Sequence, residues 1–233
     1  MTDIREYLAR KPLLFDGGMG TYYKAAPGAD CEMANLTDPE GVKKVHAEYL
    51  AAGAQAIKTN TFGLPRMAAA QMPGWEELAE AGWKLACDAA AEKDAAVFAD
   101  LGPAPDTEAA PASSAYGLVA QQFAALGAKN FLFETLSSDV GIVEAVKALR
   151  VAVPDAFVMV SFAVLPDGYT REGLLFRDLL RRMEQSGVVD AVGLNCVSAP
   201  GAMKKLVQSL GETLLPLSVM PNAGYPVVTR ARV

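Results

Sequence analysis

Short runs rich in Val, Ile, Leu and Phe recur along the chain, separated by longer Ala-rich stretches in which apolar residues return at helical spacing. The apolar runs are residues 13–16, 55–59, 96–100, 130–134, 157–162, 191–196 and 216–220. Most of them lack strict alternation of polar and apolar positions, as parallel strands buried on both faces should. Helices are predicted between them, near residues 39–52, 75–93, 115–126, 138–150, 171–186 and 201–210. Thr37-Asp38-Pro39-Glu40 and Ser137-Ser138-Asp139 read as helix starts, and Gly53, Gly127 and Gly187 stand where C-caps are wanted. Repeated strand–helix–strand units imply a parallel sheet. Seven strands without a reversal of order predict an α/β fold of the (β/α)8 barrel type, one strand short, rather than a doubly wound sheet. The Pro- and Ala-rich loop 102–114 is expected to be mobile.

Composition sharpens this picture. Of 233 residues, 52% are hydrophobic and 21% charged, enough to build a sizeable core and too apolar for disorder. The whole chain, 1–233, reads as one barrel domain, with neither a linker nor an internal repeat beyond the strand–helix alternation. The net charge is −6 and no basic run occurs, which argues against a nucleic-acid or anionic-membrane partner. No apolar stretch approaches the roughly 18 residues of a membrane span. The N-terminus, MTDIREYLARK, has no apolar signal core, so a cytoplasmic location is expected. Cys31, Cys87 and Cys196 are too few and too scattered for a disulfide scaffold.

Barrels collect their chemistry at the C-terminal ends of strands. Those ends carry Asp16-Gly17-Gly18, Thr59-Asn60-Thr61, Asp100, Glu134-Thr135, Ser161, Asn195-Cys196 and Asn222-Ala223-Gly224. Asp16 and Glu134 can clamp a cation such as an amino acid's α-ammonium, act as an acid/base pair, or simply cap backbone amides. Gly17 and Gly18 permit close backbone approach to an anion, or a tight turn. Cys196 can be a nucleophile, a soft metal ligand or a small buried hydrophobe. His46 is the single histidine and lies on a predicted helix, which excludes Ser-His-Asp and His-rich zinc chemistry. No Walker loop or dinucleotide fingerprint is present. A Schiff-base aldolase would want a strand-end lysine. Lys58 is the candidate, and its Thr-Asn-Thr-Phe context argues against that chemistry.

Several blocks in order resemble homocysteine S-methyltransferase domains. They are Leu13-Leu14-Phe15-Asp16-Gly17-Gly18-Met19-Gly20-Thr21, Asn35-Leu36-Thr37-Asp38-Pro39-Glu40 and the run from His46 through Ala52-Gly53-Ala54 to Lys58-Thr59-Asn60-Thr61-Phe62-Gly63. Ala99-Asp100-Leu101-Gly102-Pro103, Phe133-Glu134-Thr135, residues 161–173, Gly193-Leu194-Asn195-Cys196 and Pro221-Asn222-Ala223-Gly224-Tyr225-Pro226 continue the match. The variant it resembles most is the methyltransferase half of bifunctional homocysteine S-methyltransferase/methylenetetrahydrofolate reductases. The resemblance implies a (β/α)8 barrel that transfers a methyl group to homocysteine, giving methionine. It also implies zinc held by three cysteine thiolates, with homocysteine's sulfur at an open position, where it stays a nucleophilic thiolate. By resemblance Cys196 is a zinc ligand, Asp16 and Glu134 hold the substrate ammonium, amides at Gly17 and Gly18 hold its carboxylate, and Asn195 shapes the site.

The family's other two zinc ligands are an adjacent Cys-Cys pair on the eighth strand, and this chain has no such pair. The expectation is therefore a C-terminally truncated barrel, inactive by itself, whose open edge is covered by a second copy, by the tail beyond Tyr225 or by a missing C-terminal segment. The alternative is a catalytically silent barrel that binds an amino acid or serves as an interaction module. The methyl donor cannot be read, since relatives use S-methylmethionine, S-adenosylmethionine or methylcobalamin.

Overall fold

The computed structural model describes residues 3–23 and 30–223. Six strands, β1 (Ala56–Lys58), β2 (Ala96–Leu101), β3 (Asn130–Leu136), β4 (Phe157–Ala163), β5 (Ala191–Asn195) and β6 (Leu217–Met220), lie in one sheet in that order. Each pairs in parallel with the next. A strand order that never reverses, with crossovers of one hand, places every connecting helix on the same face and curls the sheet into a half-barrel.

The predicted first strand, 13–16, is reduced to an isolated parallel bridge between Phe15 and Ala56. It still lies beside β1: Asp16 N donates to Ala56 O at 2.9 Å, and Gln55 N and Ala56 N both donate to Leu14 O. The ladder is cut short because Gly17 and Gly18 follow at once and the chain then enters the helix Met19–Tyr23.

The six predicted helices appear as Pro39–Ala51, Trp75–Ala91, Ala112–Ala125, Ile142–Ala152, Phe176–Ser186 and Pro200–Leu210. Two begin later than their sequence signals suggested. Ser138 and Asp139 do not cap a helix. Ser138 Oγ accepts from Val140 N, and Asp139 forms a bidentate pair with Arg182 at 2.6 and 2.9 Å. Residues 169–175 form a small turn closed by a Tyr169–Leu175 bridge, which delays the next helix to Phe176. The loop that follows β2 is tied to the next helix, since Ala104 N donates to Tyr116 OH and Ala112 N to Asp106. The short helices Ile4–Leu8, Met19–Tyr23, Ala34–Thr37 and Leu64–Ala69 carry too few periodic positions to be seen in the sequence.

The missing alternation now has an explanation. Both sheet faces are buried, but they bury different things. Ala99, Leu101, Phe131, Phe133, Val158, Val160, Phe162, Val192 and Leu194 pack outward against the helices in the main core. Ala56, Ala96, Phe98, Leu132, Phe157, Met159 and Ala191 face the lumen, closed at its base by Ile4 and Leu8. Because strand parity is two, the next inward positions up the strands are Lys58, Asp100, Glu134 and Ser161, and on β5 Gly193 and then Asn195. The lumen is thus apolar below and polar above. At its base Asp190 anchors the N-terminal helix, accepting from Arg5 Nε (2.9 Å), Arg150 Nη2 (2.8 Å) and Val158 N (2.8 Å).

His46, on Pro39–Ala51, is fully buried, and neither ring nitrogen has a hydrogen-bond partner. Its role is structural, and burial pulls its pKa down to about 4. A histidine depressed in the folded state weakens the fold as pH falls below its unfolded value, because the unfolded chain binds the extra proton. Between pH 7 and pH 5 this costs about 2 kcal/mol. His46→Leu is expected to remove that loss, so urea denaturation should show the variant gaining on the parent by about this amount over the interval. A pH-independent difference would contradict the assignment.

No helix among the described residues is long and apolar enough to cross a membrane.

Candidate functional site

The curled sheet encloses a cavity of about 1170 Å³. Its floor includes Phe98, Phe157 and Met159, and its mouth is lined by Asp16, Gly17, Gly18, Lys58, Glu134, Asn195 and Cys196. Asp16, Gly17, Gly18, Glu134, Asn195 and Cys196 therefore meet in one place, although they come from three separate segments of chain. Asn222 and Ala223 also line the cavity. Gly224, Tyr225 and Pro226 lie outside the described residues.

Asn195 is the hub. Its Nδ2 donates to Thr135 Oγ1 (2.8 Å) and Glu134 Oε2 (3.1 Å) and approaches Cys196 Sγ at 3.6 Å. Its Oδ1 accepts from Thr135 N (3.0 Å) and Ser161 Oγ (3.1 Å). The side chain thus ties the ends of β3, β4 and β5 together. The flanking backbone is strained to match: Thr135 (φ 61°), Cys196 (φ 54°) and Val197 (φ 52°) all adopt left-handed conformations that favour glycine. Such conformations cost roughly 1–2 kcal/mol each and gather at functional sites. Here they turn the thiol of Cys196 toward Thr135 Oγ1, 3.6 Å away. Burial raises the Cys196 pKa, so the isolated thiol is protonated near neutrality.

Gly17 meets the need for close approach. A Cβ built there would lie 2.6 Å from the hydroxyl of Tyr49, whose OH donates to Gly18 O at 3.3 Å. Tyr49 thus supports the Gly-Gly segment from the helix Pro39–Ala51.

Asp16 and Glu134 face one point, and that point is occupied. Lys58 Nζ sits 3.9 Å from Asp16 Oδ1 and 3.6 Å from Glu134 Oε2, and Lys58 N donates to Asp16 Oδ2 at 3.0 Å. Burial pushes Asp16 up to about 7, against the pull of Lys58. Burial also lowers the Lys58 pKa, but the neighbouring acidic groups, Glu134 first and Asp16 second, outweigh it and keep the ammonium charged. Asp100 lies deeper, where burial first and Glu134 second raise its pKa well above the carboxylate range. Oδ1 of Asp16 and Oδ1 of Asp100 are both buried without a hydrogen-bond partner.

The sequence signal for Lys58 was its inward parity with Ala56, which puts it in the polar layer. Thr135 was visible only as the neighbour of Glu134, and nothing in the sequence singled out Tyr49. The Thr59-Asn60-Thr61 run is structural. Asn60 Nδ2 donates to Asn35 Oδ1 and Cys31 O, while Asn35 Nδ2 donates to Asn60 O and Leu78 O. That network locks the Asn35-Leu36-Thr37-Asp38 segment against the rim.

As for metal, the mouth offers a single thiol, that of Cys196. Cys31 lies on a separate turn, Cys31–Met33, and Cys87 on the helix Trp75–Ala91. Among the described residues no group of three His, Cys, Asp or Glu side chains is placed to hold a metal ion. The donor set of this chain does not fit a three-thiolate zinc site.

A family model described as homocysteine S-methyltransferase matches residues 13–232. The chain is 30% identical over 256 residues to methionine synthase of Mycobacterium tuberculosis (strain ATCC 25618 / H37Rv), a match that covers 97% of this chain and 21% of that protein. It therefore spans about a fifth of the length of the methionine synthases it resembles. It is 25% identical over 253 residues to homocysteine S-methyltransferase of Escherichia coli (strain K12), covering 94% of this chain and 80% of that one. Among solved structures, the metallated form of the homocysteine methyltransferase MmuM from E. coli superposes with a TM-score of 0.77 at 24% identity, over 96% of this chain and 88% of that one. The apo form of MmuM gives 0.72 at 26% identity, over 96% and 87%. The fold, the convergence of the mouth residues and the match along nearly the whole chain agree: the protein belongs to the homocysteine S-methyltransferase family.

Proposed function

We propose that this chain is the acceptor-binding barrel of a homocysteine S-methyltransferase, seating homocysteine in the mouth of the lumen with its sulfur beside Cys196. The observation that carries this reading is the convergence of Asp16, Gly17, Gly18, Glu134, Asn195 and Cys196 on one cavity. In the overall reaction the acceptor thiol loses a proton, its sulfur forms a bond to the methyl carbon, and the donor–methyl bond breaks, giving methionine. The chain's own contributions are positional. Asn195 fixes Glu134, Thr135 and Cys196 relative to one another. The Gly17–Gly18 backbone, propped by Tyr49, receives the acceptor carboxylate. Asp16 and Glu134 supply negative charge for its amino group. The apolar floor of Phe98, Phe157 and Met159 excludes water from below.

The six strands and the Phe15 bridge are proposed to be the first seven staves of an eight-stave barrel. Family chemistry uses zinc held by three thiolates, and these residues supply one, Cys196. Two more would have to come from outside the 233 residues, so no step is assigned to metal in this chain. That shortfall favours a second reading, in which these residues bind the acceptor without transferring methyl by themselves.

Calorimetric titration of the full chain with L-homocysteine under reducing conditions tests the proposal. One saturable site per chain is expected, with Cys196→Ser leaving the stoichiometry unchanged. No heat at millimolar ligand would overturn it.

A further inference from the structure

The polar layer of the lumen sets three carboxyl groups around one ammonium. Lys58 Nζ pairs with Asp16 (3.9 Å) and Glu134 (3.6 Å), and among the described residues no cation pairs with the third, Asp100. Asp100 cannot turn away. It stands on β2, one strand over from both Lys58 and Glu134, and is 4% exposed. Its backbone is pinned twice: Asp100 N donates to Thr59 Oγ1 (3.0 Å), and Thr61 Oγ1 donates to Asp100 O (2.9 Å). Its Oδ1 is buried without a hydrogen-bond partner. The titratable groups around it are Glu134 from β3, Lys58 from β1, Asp16 from the segment before β1, Glu32 from the turn Cys31–Met33 and Cys196 just after β5. An ionised Asp100 has no paired cation and faces other acids, so the neutral acid is the form the empty mouth favours. With Asp16 and Glu134 ionised beside Lys58, the mouth then carries one uncompensated negative charge, the complement of one ammonium.

We propose that Asp100 is a positioning residue of the acceptor site: it keeps a carboxyl proton while the mouth is empty and releases it to solvent when an acceptor's ammonium settles against Asp16 and Glu134. The incoming ammonium is the second cation that the three carboxyl groups lack. Once it is in place, two positive charges face three acids, and the Coulomb cost of ionising Asp100 falls. The step is a simple dissociation: the Asp100 O–H bond breaks, its electron pair stays on the carboxylate, and the proton leaves to water. Ammonium binding and Asp100 ionisation are thereby linked, so each favours the other. The Thr59 and Thr61 hydroxyls gain a role as well, since they fix the strand that carries this carboxyl behind the two that meet the acceptor. This inference rests on the acceptor-binding reading above and adds to it a proton that moves on binding.

The test is calorimetric titration of the full chain with L-methionine at pH 8, in two buffers of different ionisation enthalpy, which gives the protons released per ligand bound. Methionine has the acceptor's skeleton and no thiol, so no proton comes from ligand sulfur. Asp16, whose pKa burial sets at about 7, is already mostly ionised at that pH. The parent should release at least about 0.3 proton per methionine bound, and Asp100→Asn, neutral and of the same shape, less than about half the parental value. A smaller release from the parent overturns the proposal, and that measurement stands even if Asp100→Asn fails to fold. A release above half the parental value in folded Asp100→Asn overturns it as well, because the proton then comes from another group. If the parent binds neither methionine nor homocysteine, the acceptor-binding reading fails and takes this inference with it; binding without proton release sinks the inference alone.

Discussion

Asn195→Ala is expected to destabilise the protein by about 4 kcal/mol and to weaken acceptor binding at least tenfold. The side chain is 1% exposed and makes good hydrogen bonds to Thr135, Glu134 and Ser161. Truncation strands the Thr135 N–H and the Ser161 hydroxyl without their acceptor, and each buried orphan costs roughly 1–3 kcal/mol. It also removes the tether that holds Thr135 and Cys196 in left-handed backbone, so the thiol no longer has a fixed direction. Urea denaturation and homocysteine titration measure the two effects. A loss below about 1 kcal/mol would show that the network is not what orders the mouth. Asn195→Asp is a sharper version, because it keeps the acceptor oxygen but sets a carboxylate against Glu134.

Gly193→Val is expected to cost about 3 kcal/mol or more. Gly193 pairs with Ser218 across β5 and β6. A Cβ there would lie 2.7 Å from Ser218 Cβ, 2.8 Å from Ser218 O and 3.2 Å from Ser161 Oγ. Two of those obstacles belong to the neighbouring strand, so the seam must spread, and overpacking of this kind is penalised by roughly 1–3 kcal/mol before any ladder bond is lost. The bond from Cys196 N to Met220 O (3.0 Å) lies one step further along the same seam and should weaken with it. Gly117→Ala is the control. It sits in the helix Ala112–Ala125 with open space where its Cβ would be, so the change should be neutral or stabilising by about 1 kcal/mol. Thermal melts that rank the two variants alike would contradict the packing account.

Much of this architecture was legible because strand and helix alternate without interruption. Six of the seven predicted strands appear, within a residue or two of their expected bounds, since each is a compact apolar run between punctuating residues. The 13–16 segment was readable as extended chain but not as a bridge of one residue pair, because ladder length depends on where the Gly-Gly turn diverts the backbone. The displaced start of Ile142–Ala152 has a similar origin. Ser138 and Asp139 carry cap chemistry, yet Asp139 is claimed by Arg182, distant in sequence. At the mouth, residue types at strand ends were enough to nominate Asp16, Glu134, Asn195 and Cys196. The state of the carboxylate pair was not legible. That Lys58 stands between them follows from the stagger of β1 against β2 and β3, which only the register reveals. Asp190 was equally hidden, because its partners Arg5 and Arg150 come from opposite parts of the chain.

The central claim is that the acceptor lies against Cys196 in the lumen mouth. Alkylation of the three cysteines, followed by mass spectrometry with and without methionine, tests it most directly, because Cys31 and Cys87 are partly exposed internal controls that do not line the cavity. Methionine has the acceptor's skeleton and no thiol to consume the reagent. The account predicts that saturating methionine slows modification of Cys196 several-fold and leaves Cys31 and Cys87 unchanged; equal rates at Cys196 with and without methionine would contradict it.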